Sequence, residues 1–224
     1  MSSVPAKIFF DVPYCIMRIN PLYYNLQNDP SEGEIDMARE QSPAQRMAEW
    51  LEGLGKFDLP DWDSLPQLDL YMDQVILLLN RYLAPIGGEE KNVTASIINN
   101  YVRMRVMPPP VKKRYSRMHL AYLIIICTLK QSLSISCIQR MLPQEHSEED
   151  ARELYTDFVR QYRAAVSFLR GLDISGEKLA LGGVEQLSVG GETSLVTTSA
   201  ILSTLSKALT EFLLQDDKEE EDDD

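Results

Sequence analysis

The chain has 224 residues, of which 44% are apolar and 25% charged; this excludes wholesale disorder or a collagen-like fibre and suits one large or two small globular domains. With 34 acidic and 22 basic residues its net charge is −12, so a uniformly acidic protein of this kind would repel nucleic acid. Three cysteines, Cys15, Cys127 and Cys137, make no disulfide framework; Cys127 and Cys137 sit in apolar runs and read as buried small hydrophobes. No basic-then-apolar leader opens the sequence. Its longest apolar run, Leu120–Leu129, falls far short of the roughly 20 residues of a membrane span. The expectation is a cytoplasmic protein without a membrane partner.

In chain order, residues 1–41, with Pro5, Pro13, Pro21 and Pro30, read as an extended arm or short turns. Ser42 and Pro43 open a helix that presents Met47, Trp50, Leu51 and Leu54 on one face and ends at Gly53 and Gly55. A second helix is expected over 67–84, with Leu68, Tyr71, Val75, Leu78, Leu79 and Tyr82 as its buried stripe and Pro85 as its stop. Thr94 caps a short helix to about Arg105, and Pro108–Pro110 forbid its continuation, so 108–115 should be extended. Ser116 caps a helix apolar almost all round, to about Gln131; Ser134 caps a short one before Pro143. Ser147-Glu-Glu-Asp resembles a capping box for a long helix to about Arg170. Glycines punctuate 171–192, with room for a hairpin at 178–189. A last helix covers 193–214, and the tail from Asp216 is acidic apart from Lys218 and should be disordered.

The charge is unevenly spread. Residues 91–144 hold nine basic residues and no Asp or Glu, where average usage would place about eight acids; the other 170 residues carry 13 basic and all 34 acidic ones. Proteins meet polyphosphate with a local basic face whatever their total charge. The alternatives are a solvated basic patch or one that docks the acidic tail. On the helix from Thr94, Ile97, Ile98, Tyr101 and Val102 point inward, while Ser96, Asn99, Asn100 and Arg103 fall on the other side. Asn pairs bidentately with adenine and Arg with guanine in the major groove. The run that follows, 108–117, is proline-stiffened and presents Lys112, Lys113, Arg114 and Arg117 to phosphates or the minor groove. Tyr115 either reaches a phosphate or anchors the loop in the core; sequence leaves both open.

The run Ile98-Asn-Asn-Tyr-Val-Arg-Met-Arg-Val-Met-Pro-Pro-Pro-Val-Lys-Lys-Arg-Tyr-Ser-Arg-Met-His-Leu resembles the MerR-type winged helix, in which a recognition helix leads through a proline-rich turn into a basic wing and a further helix. It is similar, more closely still, to a family of uncharacterised bacterial proteins carrying a domain of unknown function. The resemblance covers about residues 68–142. It implies a mainly α fold with a winged helix-turn-helix core, MerR-like, extended by N- and C-terminal helices. It gives Asn99, Asn100 and Arg103 the recognition role and Lys112, Lys113, Arg114 and Arg117 the wing role. Arg105 stands where MerR proteins carry Gly, and Val106 where they carry Leu. The implied organisation is an arm and helix (1–66), a winged-helix domain (67–143), a helical accessory region (144–214) and the acidic tail (215–224). MerR-like proteins dimerise through helices outside the winged domain. The candidates here are 148–170 and 193–214, the latter with Leu195, Ile201, Leu202, Leu205, Leu209, Phe212 and Leu213 as a dimer seam or as protomer core.

His119 and His146, the two histidines, form no paired-ligand spacing, and His119 reads as structural. No phosphate loop or nucleophile elbow occurs, so no enzyme, cofactor or metal is expected. The reading is a sequence-specific regulator of transcription bound to double-stranded DNA through Ser96, Asn99, Asn100, Arg103, Arg105, Lys112, Lys113, Arg114, Tyr115 and Arg117, as a homodimer. The alternatives are an adaptor whose basic wing grips an acidic protein, and a small-molecule sensor whose 148–214 region encloses a pocket.

Overall fold

The computed structural model describes residues 42–87, 93–143, 147–175, 178–181 and 192–215. The expected arm, the acidic tail, Cys15, His146 and the stretch 182–189 of the expected hairpin lie outside the described residues. The fold is mainly α, as expected. Ser42 caps helix α1 (Pro43–Lys56) through a reciprocal box, its hydroxyl accepting from the Gln45 N–H at 3.3 Å while its own N–H donates to Gln45 Oε1 at 2.9 Å. Met47, Trp50, Leu51 and Leu54 are buried on one face, as their spacing predicts. The helix nevertheless runs through Gly53 and Gly55. Gly53 is buried and Gly55 exposed, and a Cβ on Gly55 would come within 2.7 Å of the flexible end of the Arg170 side chain, so the helix carries both glycines at a cost of roughly 1 kcal/mol each.

Helix α2 (Met72–Gly87) starts five residues later than its periodicity predicts. The cause is non-local: Leu70 and Tyr115 exchange two backbone hydrogen bonds of 2.8 Å, holding the approach to α2 extended. Leu68 and Tyr71 therefore leave the buried stripe, at 81% and 53% exposure, while Val75 and Leu79 are sealed. Pro85 lies inside the last turn rather than ending it, where its missing N–H removes one bond and its ring is buried. Helix α3 (Ala95–Arg103) begins at Thr94, whose hydroxyl accepts from the Ile97 N–H at 3.4 Å. Asn80 of α2 fixes the entry to α3 by accepting from the Val93 N–H at 2.7 Å. The exit is a Schellman cap: Val106 N–H bonds Tyr101 O at 3.1 Å, Arg105 N–H bonds Val102 O at 3.0 Å, and Arg105 takes φ 56°. That left-handed position is the one glycine usually fills, so Arg105 occupies a glycine site.

Helix α4 (Arg117–Leu129) is buried at every position from His119 on, which makes it the central rod of the fold. His119 is structural: its Nδ1 accepts from the Ser116 N–H at 3.1 Å and its Nε2 lies 3.2 Å from the Pro109 carbonyl. Ser134 and Ser147 cap α5 (Ile135–Met141) and α6 (Glu148–Arg170) as expected. Cys137, on α5, is exposed rather than buried, because only Ile138 of that short helix turns fully inward. The hairpin falls earlier than expected, with β1 (Leu172–Ser175) antiparallel to β2 (Lys178–Leu181) and Leu172 opposite Leu181. Helix α7 (Glu192–Gln215) closes the fold.

One continuous cluster of buried apolar side chains runs from Met47 to Ala208, with α4 packed by α2, α6 and α7 and with α1 laid on α6 and α7. Ile201 and Leu205 of the last helix are part of that core. Buried hydroxyls fix its depth: Thr204 Oγ1 donates within α7 to Ala200 O at 3.0 Å, and Thr198 Oγ1 donates to Gln161 Oε1 at 3.0 Å. A clamp joins α6 to the loop after α1. Arg163 Nε reaches both carboxylate oxygens of Asp58 at 2.9 and 2.8 Å, and its Nη1 reaches Asp61 at 2.8 Å. These carboxylates push the guanidinium still further above its ordinary range. Beside it Tyr155 donates to the Pro60 carbonyl at 2.7 Å, and burial raises its phenol.

Candidate nucleic-acid interface

Ile98, fully buried, and Tyr101, nearly so, pin α3 to the core and turn its polar face outward. Full burial of a side chain such as Ile98 contributes about 2 kcal/mol to that placement. Ile97 departs from the expectation; at 37% exposure it borders the outer face. Ser96, Ile97, Asn99, Asn100, Tyr101 and Arg103 line an open cleft of about 850 Å³ whose remaining wall is Lys130, at the C-cap of α4. Arg103 is oriented within the cleft, its Nη2 donating to Asn100 Oδ1 at 2.6 Å. Among the described residues, nothing takes the Ser96 hydroxyl or the Asn99 amide. The cleft thus carries two cations, amides of both hydrogen-bonding senses and no carboxylate. Lys130 was visible in the sequence as a member of the acid-free stretch. Its place opposite α3 was not, since the length of α4 had to carry it there.

Below the cleft, Tyr101 packs beside Cys127. Burial pushes the Cys127 thiol up to about 12 and raises the Tyr101 phenol as well, so neither is a reactive group. Among the described residues, no group of three or more His, Cys, Asp or Glu side chains is arranged to hold a metal ion.

The second basic element is tighter than the extended strand expected over 108–115. Val111 and Arg114 exchange backbone hydrogen bonds of 3.1 and 2.9 Å, forming a hairpin whose two central residues, Lys112 and Lys113, take φ 51° and 62°. Two-residue hairpin loops with both centres at positive φ favour Asn and Gly, so two lysines there hold backbone strain. Both lysines are exposed. Arg114 lies over the Tyr71 ring at 4.6 Å and donates to its hydroxyl at 2.8 Å. The exposed Tyr71 thus braces a basic side chain of the turn.

Two expected contact residues turn inward. Tyr115 is 2% exposed, edge-on to His119 at 5.7 Å; it anchors the turn and does not reach a phosphate. Arg117 lies mostly covered over the Trp62 ring at 5.6 Å, with Nη1 3.8 Å from Asp63, so it ties α4 to the preceding loop. Arg105 is exposed at the end of α3. Among the described residues, no carboxylate forms an ion pair with Arg103, Arg105, Lys112, Lys113, Arg114 or Lys130. The cleft gathers the α3 residues with Lys130, and the turn residues are not part of its lining.

Residues 60–163 match the profile of a family described as a domain of unknown function, DUF1836. No curated protein and no solved structure matches the chain. The matched segment is wider than the 68–142 of the sequence resemblance, and its ends meet in space: the Pro60 carbonyl accepts from Tyr155, and Arg163 grips Asp61. No helix among the described residues is long and apolar enough to cross a membrane.

Proposed function

We propose that the chain is a cytoplasmic, sequence-specific DNA-binding regulator of transcription whose 67–143 segment acts as a MerR-like winged helix-turn-helix. Helix α3 enters the major groove and the Val111–Arg114 hairpin lies on the flanking phosphates. The observation that carries this reading is the acid-free cleft: Ser96, Asn99, Asn100 and Arg103 face outward beside Lys130, with no carboxylate in the lining. A nine-residue helix is about 14 Å long, comparable with the roughly 12 Å width of the major groove. Asn99 supplies an amide for an adenine edge, Arg103 a fork for guanine, and Lys112, Lys113 and Lys130 supply phosphate contacts without base information.

Selection of bound duplexes from a random pool tests the reading. A single enriched motif is expected, and Asn99→Ala should relax preference at one base pair by about 1–3 kcal/mol. Recovery of no motif, with no duplex retained at low salt, would refute it.

A second reading has one observation in its favour. Tyr71 and Val111 are 53% and 67% exposed beside Arg114, an apolar and cationic surface that an acidic protein partner would also fit. Purification of the chain with a protein and free of DNA favours that adaptor role.

A further inference from the structure

Residues 216–224 hold eight acidic residues and one lysine, a net charge of −7, on a chain whose α3 cleft holds two cations and no acid. Helix α7 fixes where that segment leaves the fold. Thr204 of α7 meets Ser132, two residues past the Lys130 C-cap of α4, with 2.8 Å between the hydroxyl oxygens, and lies 3.3 Å from the Thr128 carbonyl. From Thr204, α7 continues to Gln215, a further rise of about 16 Å. Arg46 of α1 holds its last turn, Nη2 donating to the Phe212 and Leu213 carbonyls at 3.3 and 2.6 Å. With neighbouring helix axes about 8–10 Å apart, Gln215 lies within about 25 Å of Lys130. Nine extended residues span about 30 Å, so the acidic segment reaches the cleft. The hairpin lysines lie the other way. Asp63 stands beside Arg117 and Arg152, so α4 and α6 start together, and Thr198 bonds Gln161 while Thr204 meets the end of α4. Helix α7 therefore runs in the sense of α4, away from Lys112 and Lys113, which precede that helix by its whole length of about 20 Å.

We propose that the α3 cleft is a site for an acidic peptide, and that its occupant is segment 216–224 of the same chain. The chemistry of the lining fits carboxylates. Arg103 offers a guanidinium fork already steadied by Asn100, Lys130 faces it as a second cation, and the Ser96 hydroxyl and the Asn99 amide add donors. A fork that suits phosphate suits carboxylate equally, so the segment acts as a tethered stand-in for a nucleic-acid backbone. The tether supplies an effective concentration on the order of millimolar, so a weak contact is enough to fill the cleft. Docking itself does not depend on the DNA-binding reading; its consequence, competition with a duplex for Arg103 and Lys130, rests on that reading.

Carbodiimide cross-linking of the full chain, diluted to about 1 µM so that contacts within one chain dominate, tests the docking. Lys130 is the one amine in the cleft lining, and the reagent joins an amine only to a carboxylate that touches it. A link from Lys130 to residues 219–224 of the same chain is expected near 50 mM salt, reduced about tenfold near 500 mM. Links chiefly to Lys112 or Lys113, links only between chains, or none to Lys130 would overturn the proposal. The consequence is read separately, from duplex binding by Glu219→Gln, Glu220→Gln, Glu221→Gln. Its affinity should rise about tenfold near 50 mM salt, and the gain should shrink to about twofold or less in a Lys130→Ala background. An equal gain in both backgrounds marks plain charge repulsion and counts against docking. A Lys130 link in a chain that retains no duplex upholds the docking and refutes the DNA-binding reading.

Discussion

The cations on the α6 side of the molecule and those on the α3 side lie in opposite surroundings. Arg163 spans Asp58, Asp61 and the Leu59 carbonyl, and Arg117 is folded over Trp62 beside Asp63. Arg103, Lys112, Lys113 and Lys130 have no such carboxylate partners among the described residues. The acidic loop at 58–63 is matched to its own guanidiniums, so those ion pairs hold the fold together. The acid-free stretch leaves its cations unneutralised, a poor arrangement for stability and a suitable one for an anionic partner. Arg117 shows that membership of the basic stretch does not decide the role; the side chain's neighbours do.

This contrast can be broken from either side. The largest effect is expected from reversing the turn, Lys112→Glu with Lys113→Glu. Loss of two phosphate contacts should weaken duplex binding about a hundredfold near 50 mM salt and lower the log–log salt slope by about two, with the melting temperature nearly unchanged. A filter-binding salt series reads both. The complementary change, Arg163→Ala, should cost about 1–2 kcal/mol, since its side chain is 42% exposed and its ion pairs are screened. Thermal unfolding should show a loss of about 2–4 °C per kcal/mol, while binding by the folded fraction stays unchanged. If both substitutions moved the same observable, the division between structural and interface cations would fail.

Two smaller effects sharpen the comparison. Lys113→Gly relieves a residue held at φ 62° and should raise stability by about 1 kcal/mol while removing one phosphate contact. Unfolding in urea and binding are expected to move in opposite directions. For the cysteines, a maleimide at pH 8 should label the exposed Cys137 and spare Cys127, whose thiol is pushed up to about 12 and so remains protonated and inert. Labelling of Cys127 in the folded chain would show that the floor of the α3 cleft opens.

What the sequence made legible was local. Ser42, Thr94, Ser116, Ser134 and Ser147 each mark a helix start, because an N-cap is satisfied within three residues. The outward face of α3 followed from its period, and the basic stretch from a count. What stayed hidden depended on partners far along the chain. Leu68 and Tyr71 fit a helical stripe until Tyr115 pairs with Leu70 across 45 residues. Gly53 and Gly55 look like a stop, yet α1 runs through both to Lys56. Arg117 reads as surface until Trp62 covers it, and Tyr115 stays open between surface and core until His119 packs on it. Lys130 joined the site through the length of α4. The tight turn at Lys112 and Lys113 gave no signal, since neither residue is one that positive φ favours.

The most direct test of the central claim is the salt dependence of binding to a duplex carrying the selected motif, measured by fluorescence anisotropy. With Arg103, Arg105, Lys112, Lys113, Arg114 and Lys130 free to meet phosphates or bases, log Kd against log salt should rise with a slope of about three to five. A slope near zero, or no binding at about 50 mM salt, would contradict the account and assign the basic surface to a different partner.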